Sequence, residues 1–217
     1  MPIQTILFDL DETLYSPDSG LWRVLRYRMG DYMSTRLNIP DQQIPELRKN
    51  YFETYGTTLR GLERDFQIQA EDYLNYVHDV NIEDFVQPDP VLRSILESIP
   101  QKKVIFTNAN SRHTEKVLRA LGVDEYFDIV IDVMQMAPYC KPYPEAYHQA
   151  MSILGDSNPG HYLLLDDSLR NVLTALQVGM QAVLVNPREE VEDHLIRIDS
   201  IHELPQIWST ISGALDV

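Results

Sequence analysis

Short apolar runs, each of the length of a buried strand, recur along the chain. Most of their positions are apolar in succession, which is typical of strands covered on both faces of a sheet. From the second run onward they alternate with segments of helical spacing, at 111–121, 142–154 and 168–178. The predicted strands are IQTILF (3–8), KKVIF (102–106), FDIVI (127–131), HYLLL (161–165) and QAVLV (181–185). This alternation predicts an α/β fold with a parallel, Rossmann-like sheet and helices on both faces.

The stretch between the first two predicted strands has a different pattern. Its apolar residues recur at helical spacing, and no strand-like alternation interrupts them. The predicted helices of this stretch are 20–37, 43–55, 58–66 and 70–78.

Turn residues stand at both ends of the helical stretch, with SPDSG before it and QPDP after it. An insertion bounded by turns explains this order with the fewest assumptions. We therefore predict a helical cap domain over 16–86, inserted into a discontinuous α/β core formed by 1–15 and 87–217.

Composition and charge narrow the class of protein. Hydrophobic residues make up 44% of the chain and charged residues 24%, as in ordinary globular proteins. The net charge of -15 argues against a polymeric nucleic acid or an anionic membrane as partner. No apolar run exceeds four residues, which excludes a transmembrane helix or secretory signal, and the first strand starts almost at Met1. The single cysteine, Cys140, excludes an internal disulfide, so we expect a cytoplasmic protein; its oligomeric state stays open.

Polar residues follow the predicted strands at their carboxyl ends. Because ligands of open parallel sheets bind outside these ends, the polar residues are expected to meet at one edge of the sheet. They are Asp9 and Asp11 after the first strand, Thr107 and Asn108 after the second, Lys141 in the loop after the third, and Asp166 and Asp167 after the fourth.

Each of these residues has a local alternative, since Asp, Asn and Thr often cap helices or form turns. The joint occurrence is harder to explain locally, because neighbouring carboxylates repel each other unless a cation neutralises them. Oxygen ligands without histidine or cysteine beside them favour Mg²⁺. The residues therefore suggest that one aspartate of the Asp9–Asp11 pair binds metal and attacks phosphorus, while the other handles a proton.

These segments resemble the four motifs of the haloacid dehalogenase (HAD) superfamily of phosphohydrolases. ILFDLDETLY (6–15) resembles the first motif and FTNA (106–109) the second, Lys141 in CKPYPEAY matches the third, and LLLDDSLRN (163–171) resembles the fourth. Their order and spacing agree, and the helical insertion stands where the first type of cap in this superfamily stands. The resemblance spans essentially the whole chain.

The resemblance implies a catalytic role for each motif. Asp9 is expected to be the nucleophile that forms an aspartyl-phosphate, and Asp11 to protonate the leaving oxygen and then deprotonate water. Thr107 and the backbone N–H of Asn108 are expected to hold the phosphoryl oxygens. Lys141 is expected to bind phosphate and to offset negative charge on Asp9.

The resemblance also implies the metal ligands. Mg²⁺ is expected to be held by Asp9, the backbone carbonyl of Asp11 and Asp167, with Asp166 acting directly or through water. The loop at 12–20 is expected to move the cap. The superfamily's true dehalogenases attack carbon and lack an aspartate at the position of Asp11, so phosphoryl chemistry is favoured.

The cap resembles that of pyrimidine 5′-nucleotidase-like members in YGTTLRGL (55–62) and DYLNYVHDV (72–80), although their first motif usually has Asn where this chain has Glu12. A nucleoside 5′-monophosphate, preferably a pyrimidine, is therefore the expected substrate. The residues predicted to contact it are Arg23, Tyr55, Arg60 and Arg112.

Several alternatives stay open at this point. A sugar phosphatase, a phosphoglycolate phosphatase or a phosphomutase would share all four motifs. Two further alternatives are a phospho-aspartate switch, disfavoured by the Asp9–Asp11 pair and the insertion, and a non-catalytic binding module, disfavoured because no motif residue is missing. A cysteine phosphatase using Cys140 is excluded, because its motif needs arginine where Ala146 stands.

Overall fold

One parallel sheet forms the centre of the molecule in the computed structural model, which describes residues 2–187 and 195–212. Within these residues six strands lie in the order β3-β2-β1-β4-β5-β6, which confirms the predicted fold class. Residues 1, 188–194 and 213–217, which the predicted core includes, lie outside the described residues. The strands are β1 (Thr5–Phe8), β2 (Lys102–Phe106), β3 (Ile129–Ile131), β4 (Tyr162–Asp166), β5 (Gln181–Val185) and β6 (Arg197–Ile198).

The central strand, β1, is buried along its whole length. At its carboxyl end Phe8 is in register with Ile105 of β2 on one side and with Leu165 of β4 on the other. The strand order reverses beside β1, since β2 and β3 lie on one side and β4 to β6 on the other. Such a reversal opens a crevice at the carboxyl ends of the strands.

Five helices of the described core segments connect or flank the strands. Asn110 caps one of them, α6, because its Oδ1 accepts a hydrogen bond from the backbone N–H of His113 at 3.0 Å. Thr107 and Asn108, for which capping was the local alternative, do not take this position. The helices are α5 (Pro90–Ser98), α6 (Ser111–Leu121), α7 (Pro144–Leu154), α8 (Leu169–Gln177) and α9 (Leu204–Ser212).

Three elements were not predicted from the pattern: α5, α9 and β6. The signal for α5 was present, because Asp89 accepts from the backbone N–H groups of Val91 and Leu92 and Pro90 opens the helix. The sequence QPDP therefore both ends the insertion and starts this helix. Strand β6 has two residues, too few for any periodicity to show.

Tyrosine side chains connect the inserted helices to one another. The ring of Tyr32 lies edge-on to that of Tyr73 with centroids 5.1 Å apart, and Tyr51 donates from its hydroxyl to Asp65 at 2.7 Å. Gly61 permits this packing, because a Cβ there would lie 2.1 Å from Cγ of Tyr51. The helices are α1 (Leu21–Leu37), α2 (Ile44–Tyr55), α3 (Thr58–Phe66) and α4 (Ala70–Val77).

The inserted helices contact the core at the loop between β3 and α7. Arg60 of α3 donates to the backbone carbonyls of Val133 and Tyr139 at 2.6 and 2.9 Å. Gly56 has φ +82°, and a Cβ on it would lie 2.9 Å from the carbonyl oxygen of Lys141. No L side chain fits there without displacing the loop, so glycine allows the inserted helices to approach Lys141 directly.

The longest helix among the described residues is α1, with 17 residues that include four arginines. In the part of the chain that the structure describes, no helix is both long enough and apolar enough to cross a membrane.

Candidate active site

Asp9 lies at the end of the central strand, where β1 leaves the sheet. Its backbone N–H still donates to the carbonyl of Leu165 at 2.9 Å, which fixes its position relative to β4. Its side chain accepts from Nζ of Lys141 at 2.8 Å through Oδ1 and from the hydroxyl of Thr13 at 3.2 Å through Oδ2. The carboxylate is therefore nearly buried, at 8% exposed, yet held on both oxygens by donors.

Lys141 is 1% exposed and bridges two carboxylates. Its Nζ lies 2.8 Å from Asp9 and 2.6 Å from Asp166. Burial alone would lower the pKa of Lys141, but the charges of Asp166 and Asp9 outweigh burial and raise it. The ammonium therefore stays charged and compensates part of the negative charge of the cluster.

Asp166 faces the interior. Its carboxylate accepts from Lys141, from the backbone N–H of Ser168 at 2.9 Å and from the amide of Asn171 at 2.9 and 3.1 Å. It is fully buried, and it does not line the cavity described below. These contacts make Asp166 a residue that holds Lys141 in place.

Asp11 is held by two buried donors on one oxygen. Its Oδ1 lies 2.7 Å from the hydroxyl of Tyr15 and 2.8 Å from Nε2 of His113. Burial alone would raise the pKa of Asp11, but His113 and Tyr15 outweigh burial and lower it. Sequence reasoning missed both partners; the only local signal was the spacing of four residues between Asp11 and Tyr15.

Thr107 and Asn108 follow β2 and lie beside the lysine loop. The amide of Asn108 accepts from the backbone N–H of Lys141 and donates to its carbonyl, both at 2.9 Å. Thr107 is 1% exposed, and its hydroxyl oxygen accepts from the backbone N–H of Ala109 at 3.0 Å. Asn108 therefore ties the second motif to the third, while Thr107 stands at the cavity floor.

A group of three aspartates provides the donor set for a cation. Oxygens of Asp9, Asp166 and Asp167 lie within 4.8 Å of one another. Burial raises the pKa of Asp9 to about 7, against the opposing charge of Lys141, and the charges of Asp166 and Asp11 add to the increase. A bound divalent cation would relieve this repulsion and keep Asp9 ionised. The residues present thus fit an oxygen-liganded ion such as Mg²⁺.

A cavity of about 910 Å³ lies over these residues, between the core and the inserted helices. Asp9, Asp11, Thr107, Lys141 and Asp167 form part of its core side. The opposite side consists of residues from α1 to α4 and the turns after α2 and α4. A small molecule in this cavity would contact the aspartates at one end and the helices at the other.

The four residues expected to contact the substrate do not line this cavity. Arg60 is engaged by Val133, Tyr139 and Glu63, and Tyr55 packs under the guanidinium of Arg64 at 5.0 Å. Arg23 is exposed on α1, and Arg112 is exposed with Nη1 3.5 Å from Asn75. The helices instead present Arg26, Arg48 and Tyr73 to the cavity.

Comparison with known families agrees with this geometry. The family model of the haloacid dehalogenase-like hydrolases matches residues 3–179, most of the chain. The chain belongs to this family. The match covers the motifs that carry Asp9, Thr107, Lys141 and Asp167, together with the inserted helices.

Two relatives have similar sequences over nearly the whole chain. The chain is 25% identical to phosphate metabolism protein 8 of Saccharomyces cerevisiae, over 99% of this chain and 71% of that protein. It is 23% identical to pyrophosphatase PpaX of Bacillus mycoides, over 98% of this chain and all of that protein.

A solved structure shares the fold. The HAD hydrolase YfnB from Bacillus subtilis, bound to magnesium, has a TM-score of 0.64 and 17% identity, with 95% of this chain and 99% of that chain covered. At this identity the likeness supports the fold alone.

Proposed function

We propose that the protein is a Mg²⁺-dependent phosphatase that hydrolyses a small phosphate monoester through an aspartyl-phosphate on Asp9. The observation that carries this proposal is the environment of Asp9. Its buried carboxylate is neutralised by Lys141, it lines a cavity together with Asp11, and it belongs to a cluster of three aspartates. The family and the name of the PpaX relative support phosphate chemistry.

In the first step an Asp9 oxygen attacks phosphorus, and the bond between phosphorus and the ester oxygen breaks. Asp11 transfers a proton to that oxygen, so that the leaving group departs as an alcohol. In the second step water attacks phosphorus, its proton goes to Asp11, and the bond to Asp9 breaks to release phosphate. Thr107 and the backbone N–H of Asn108 hold the phosphoryl oxygens, and Lys141 stabilises the added negative charge.

Asp9, Asp167 and the backbone carbonyl of Asp11 would hold the Mg²⁺. The ion would supply positive charge against the phosphoryl oxygens. The carboxylate of Asp166 accepts hydrogen bonds from Lys141 and Asn171. We therefore propose that Asp166 positions Lys141 and does not bind the Mg²⁺ directly.

For the leaving group we propose a nucleoside, with a pyrimidine base preferred. Support comes from the resemblance of residues 55–62 and 72–80 to nucleotidase caps and from the size of the cavity, about 910 Å³. A volume in this range is common for sites of drug-sized ligands. Trp22 and Phe52 line the cavity and offer aromatic surface to a base.

The proposal is tested by phosphate release from UMP, CMP, AMP, phosphoglycolate, glucose 6-phosphate and pyrophosphate, with Mg²⁺ or with EDTA. Asp9→Asn is the test variant, and Asp128→Asn, an exposed aspartate of the core, is the matched control. We expect release that needs Mg²⁺, is lost in Asp9→Asn and is kept in Asp128→Asn, with UMP and CMP preferred. No release from any compound of this panel would overturn the phosphatase. A preference for AMP would overturn the pyrimidine preference, and a preference for a compound that is not a nucleotide would overturn the nucleotidase.

A further inference from the structure

The acidic side chains of the cavity wall all lie on one of its two sides among the described residues. Among the described residues that line it, every acidic side chain belongs to the core, namely Asp9, Asp11, Glu12 and Asp167. The charged residues that the inserted helices contribute are Arg26, Arg48 and Lys49, and the core side also carries the cations Lys141 and Arg170. The chain as a whole has a net charge of -15, so a positive wall here runs against the overall charge. Such a wall favours oxygen atoms with negative charge or partial negative charge.

Arg48 of α2 is partly engaged and partly unsatisfied. Its Nη1 donates to the carbonyl of Arg26 at 3.0 Å, and its Nη2 lies 3.5 Å from Sδ of Met29. Its Nε is buried and has no hydrogen-bond partner among the described residues. A buried N–H without an acceptor carries a free-energy cost that an arriving acceptor would remove.

Tyr73 of α4 also has an unsatisfied polar group. It is 2% exposed, and its hydroxyl is buried without a partner among the described residues. Two other buried tyrosines of the inserted helices are satisfied by carboxylates, Tyr32 by Asp72 at 3.0 Å and Tyr51 by Asp65 at 2.7 Å. Tyr73 differs from both in that it lines the cavity.

We propose that Arg48 and Tyr73 form a leaving-group subsite that donates hydrogen bonds to acceptor oxygens at the far end of the ester. The phosphoryl group would lie at Asp9, and the other end of the same molecule would reach α2 and α4. Carboxylate oxygens and pyrimidine carbonyl oxygens both have this chemistry. The subsite rests on the proposed phosphatase function, since it selects among esters and does no chemistry itself.

The test compares three esters on the whole protein with Mg²⁺. UMP carries carbonyl oxygens at its far end, 3-phosphoglycerate carries a carboxylate, and phenyl phosphate carries no acceptor. Tyr73→Phe removes one oxygen atom, and Arg48→Gln removes the guanidinium. Tyr51→Phe, which removes a hydroxyl satisfied by Asp65 elsewhere in the same helices, is the matched control.

We expect Tyr73→Phe and Arg48→Gln to lower the ratio of kcat/KM for UMP or 3-phosphoglycerate to that for phenyl phosphate by about tenfold, mainly through KM. A fall in the ratio for UMP identifies carbonyl oxygens as the acceptors, and a fall in the ratio for 3-phosphoglycerate identifies a carboxylate. Tyr51→Phe should leave both ratios unchanged. The unfolding midpoint of Tyr73→Phe should equal or exceed that of the wild type, because its hydroxyl has no partner to lose.

Equal losses on all three esters in both test variants, or unchanged ratios in both, would overturn the subsite while leaving the phosphatase intact. Failure of the proposed function would look different. In that case the wild-type protein would release no phosphate from any of the three esters.

Discussion

Nε2 of His113 lies 2.8 Å from Oδ1 of Asp11, although the two residues are 102 positions apart in the chain. The hydroxyl of Tyr15 reaches the same oxygen at 2.7 Å. Both donors act on Oδ1, so we expect Oδ2 to be the oxygen that exchanges a proton with a substrate. His113 is fully buried and stacks on His78 with ring centroids 4.2 Å apart, which fixes the plane of its imidazole. His113 thus orients the carboxylate expected to act as general acid.

Removing this donor should impair esters with poor leaving groups most. For His113→Phe we expect kcat/KM to fall about tenfold or more for UMP, whose leaving alkoxide needs a proton, and much less for 2,4-dinitrophenyl phosphate. This ratio reports only the steps up to formation of the aspartyl-phosphate, so the shared second step does not obscure the comparison. Equal losses for the two esters would reduce His113 to a purely structural residue.

The buried Lys141 should contribute to folding as well as to catalysis. In Lys141→Met the carboxylates of Asp9 and Asp166 lose their cation, and removing one partner of a buried ion pair typically costs about 3–5 kcal/mol. Urea unfolding in EDTA measures this loss, with Lys102→Met, an exposed residue at the start of β2, as control. The double variant Lys141→Met/Asp166→Asn should be less destabilised than the sum of the single variants. Additive losses would contradict the pairing seen at 2.6 Å.

Substitutions of the neighbouring residues Asp166 and Asp167 should have different effects on Mg²⁺ binding. Asp167 lines the cavity, whereas Asp166 is fully buried under Lys141 and Asn171. For Asp167→Asn we expect the Kd for Mg²⁺, measured by calorimetry, to rise more than about tenfold, because even outer partners of a metal site are worth 10–100-fold. Asp166→Asn should instead mainly lower stability in EDTA. The reverse pattern would exchange their roles.

The free energy of unfolding should fall at acidic pH because of the buried His78. Burial lowers the pKa of His78 from 6.5 to about 3, with His113 and Lys116 acting in the same direction and Asp11 and Asn110 opposing. Between these two values the unfolded chain binds a proton that the folded protein does not, so stability falls as the pH falls from 6.5.

The substitution His78→Gln removes the group that binds this proton and keeps a side-chain N–H that can donate to Asn110. From pH 7 to pH 4 the stability advantage of the wild type over the variant should shrink by about 3 kcal/mol, at about 1.4 kcal/mol per pKa unit. Urea unfolding at both pH values measures the difference. A constant difference would show that His78 titrates normally in the folded protein.

Much of the fold could be predicted because its signals are local. Runs such as VIF in β2 and LLL in β4 are buried on both faces, and their order with the helices defines a parallel sheet. Strand β6 is different, since two residues carry no period and its pairing with β5 depends on the tertiary fold.

The site, too, has a part that could be predicted from the sequence and a part that could not. Asp9, Asp11, Thr107 and Asp167 could be chosen from their places after strands, because the sheet itself brings those ends together. The contact between His113 and Asp11 could not, since it depends on how α6 packs against the loop after β1.

The cap side of the cavity was the hardest part to predict. Helices α1 and α3 each carry more than one arginine and α2 carries Arg48, and only packing decides which of these side chains meet the core. Arg48 therefore lines the cavity, whereas Arg60 is used to fasten α3 to the loop after β3.

The close approach of Gly56 to the carbonyl of Lys141 links two properties that are usually treated separately. The same loop is held by Asn108 from the core and accepts the side chain of Arg60 from α3 at Tyr139. Displacing the inserted helices from the core would remove the contacts of Gly56 and Arg60 with this loop, while Asn108 would still hold Lys141 from the core. The position of the inserted helices is therefore coupled to the loop that carries Lys141, the cation beside the proposed nucleophile Asp9.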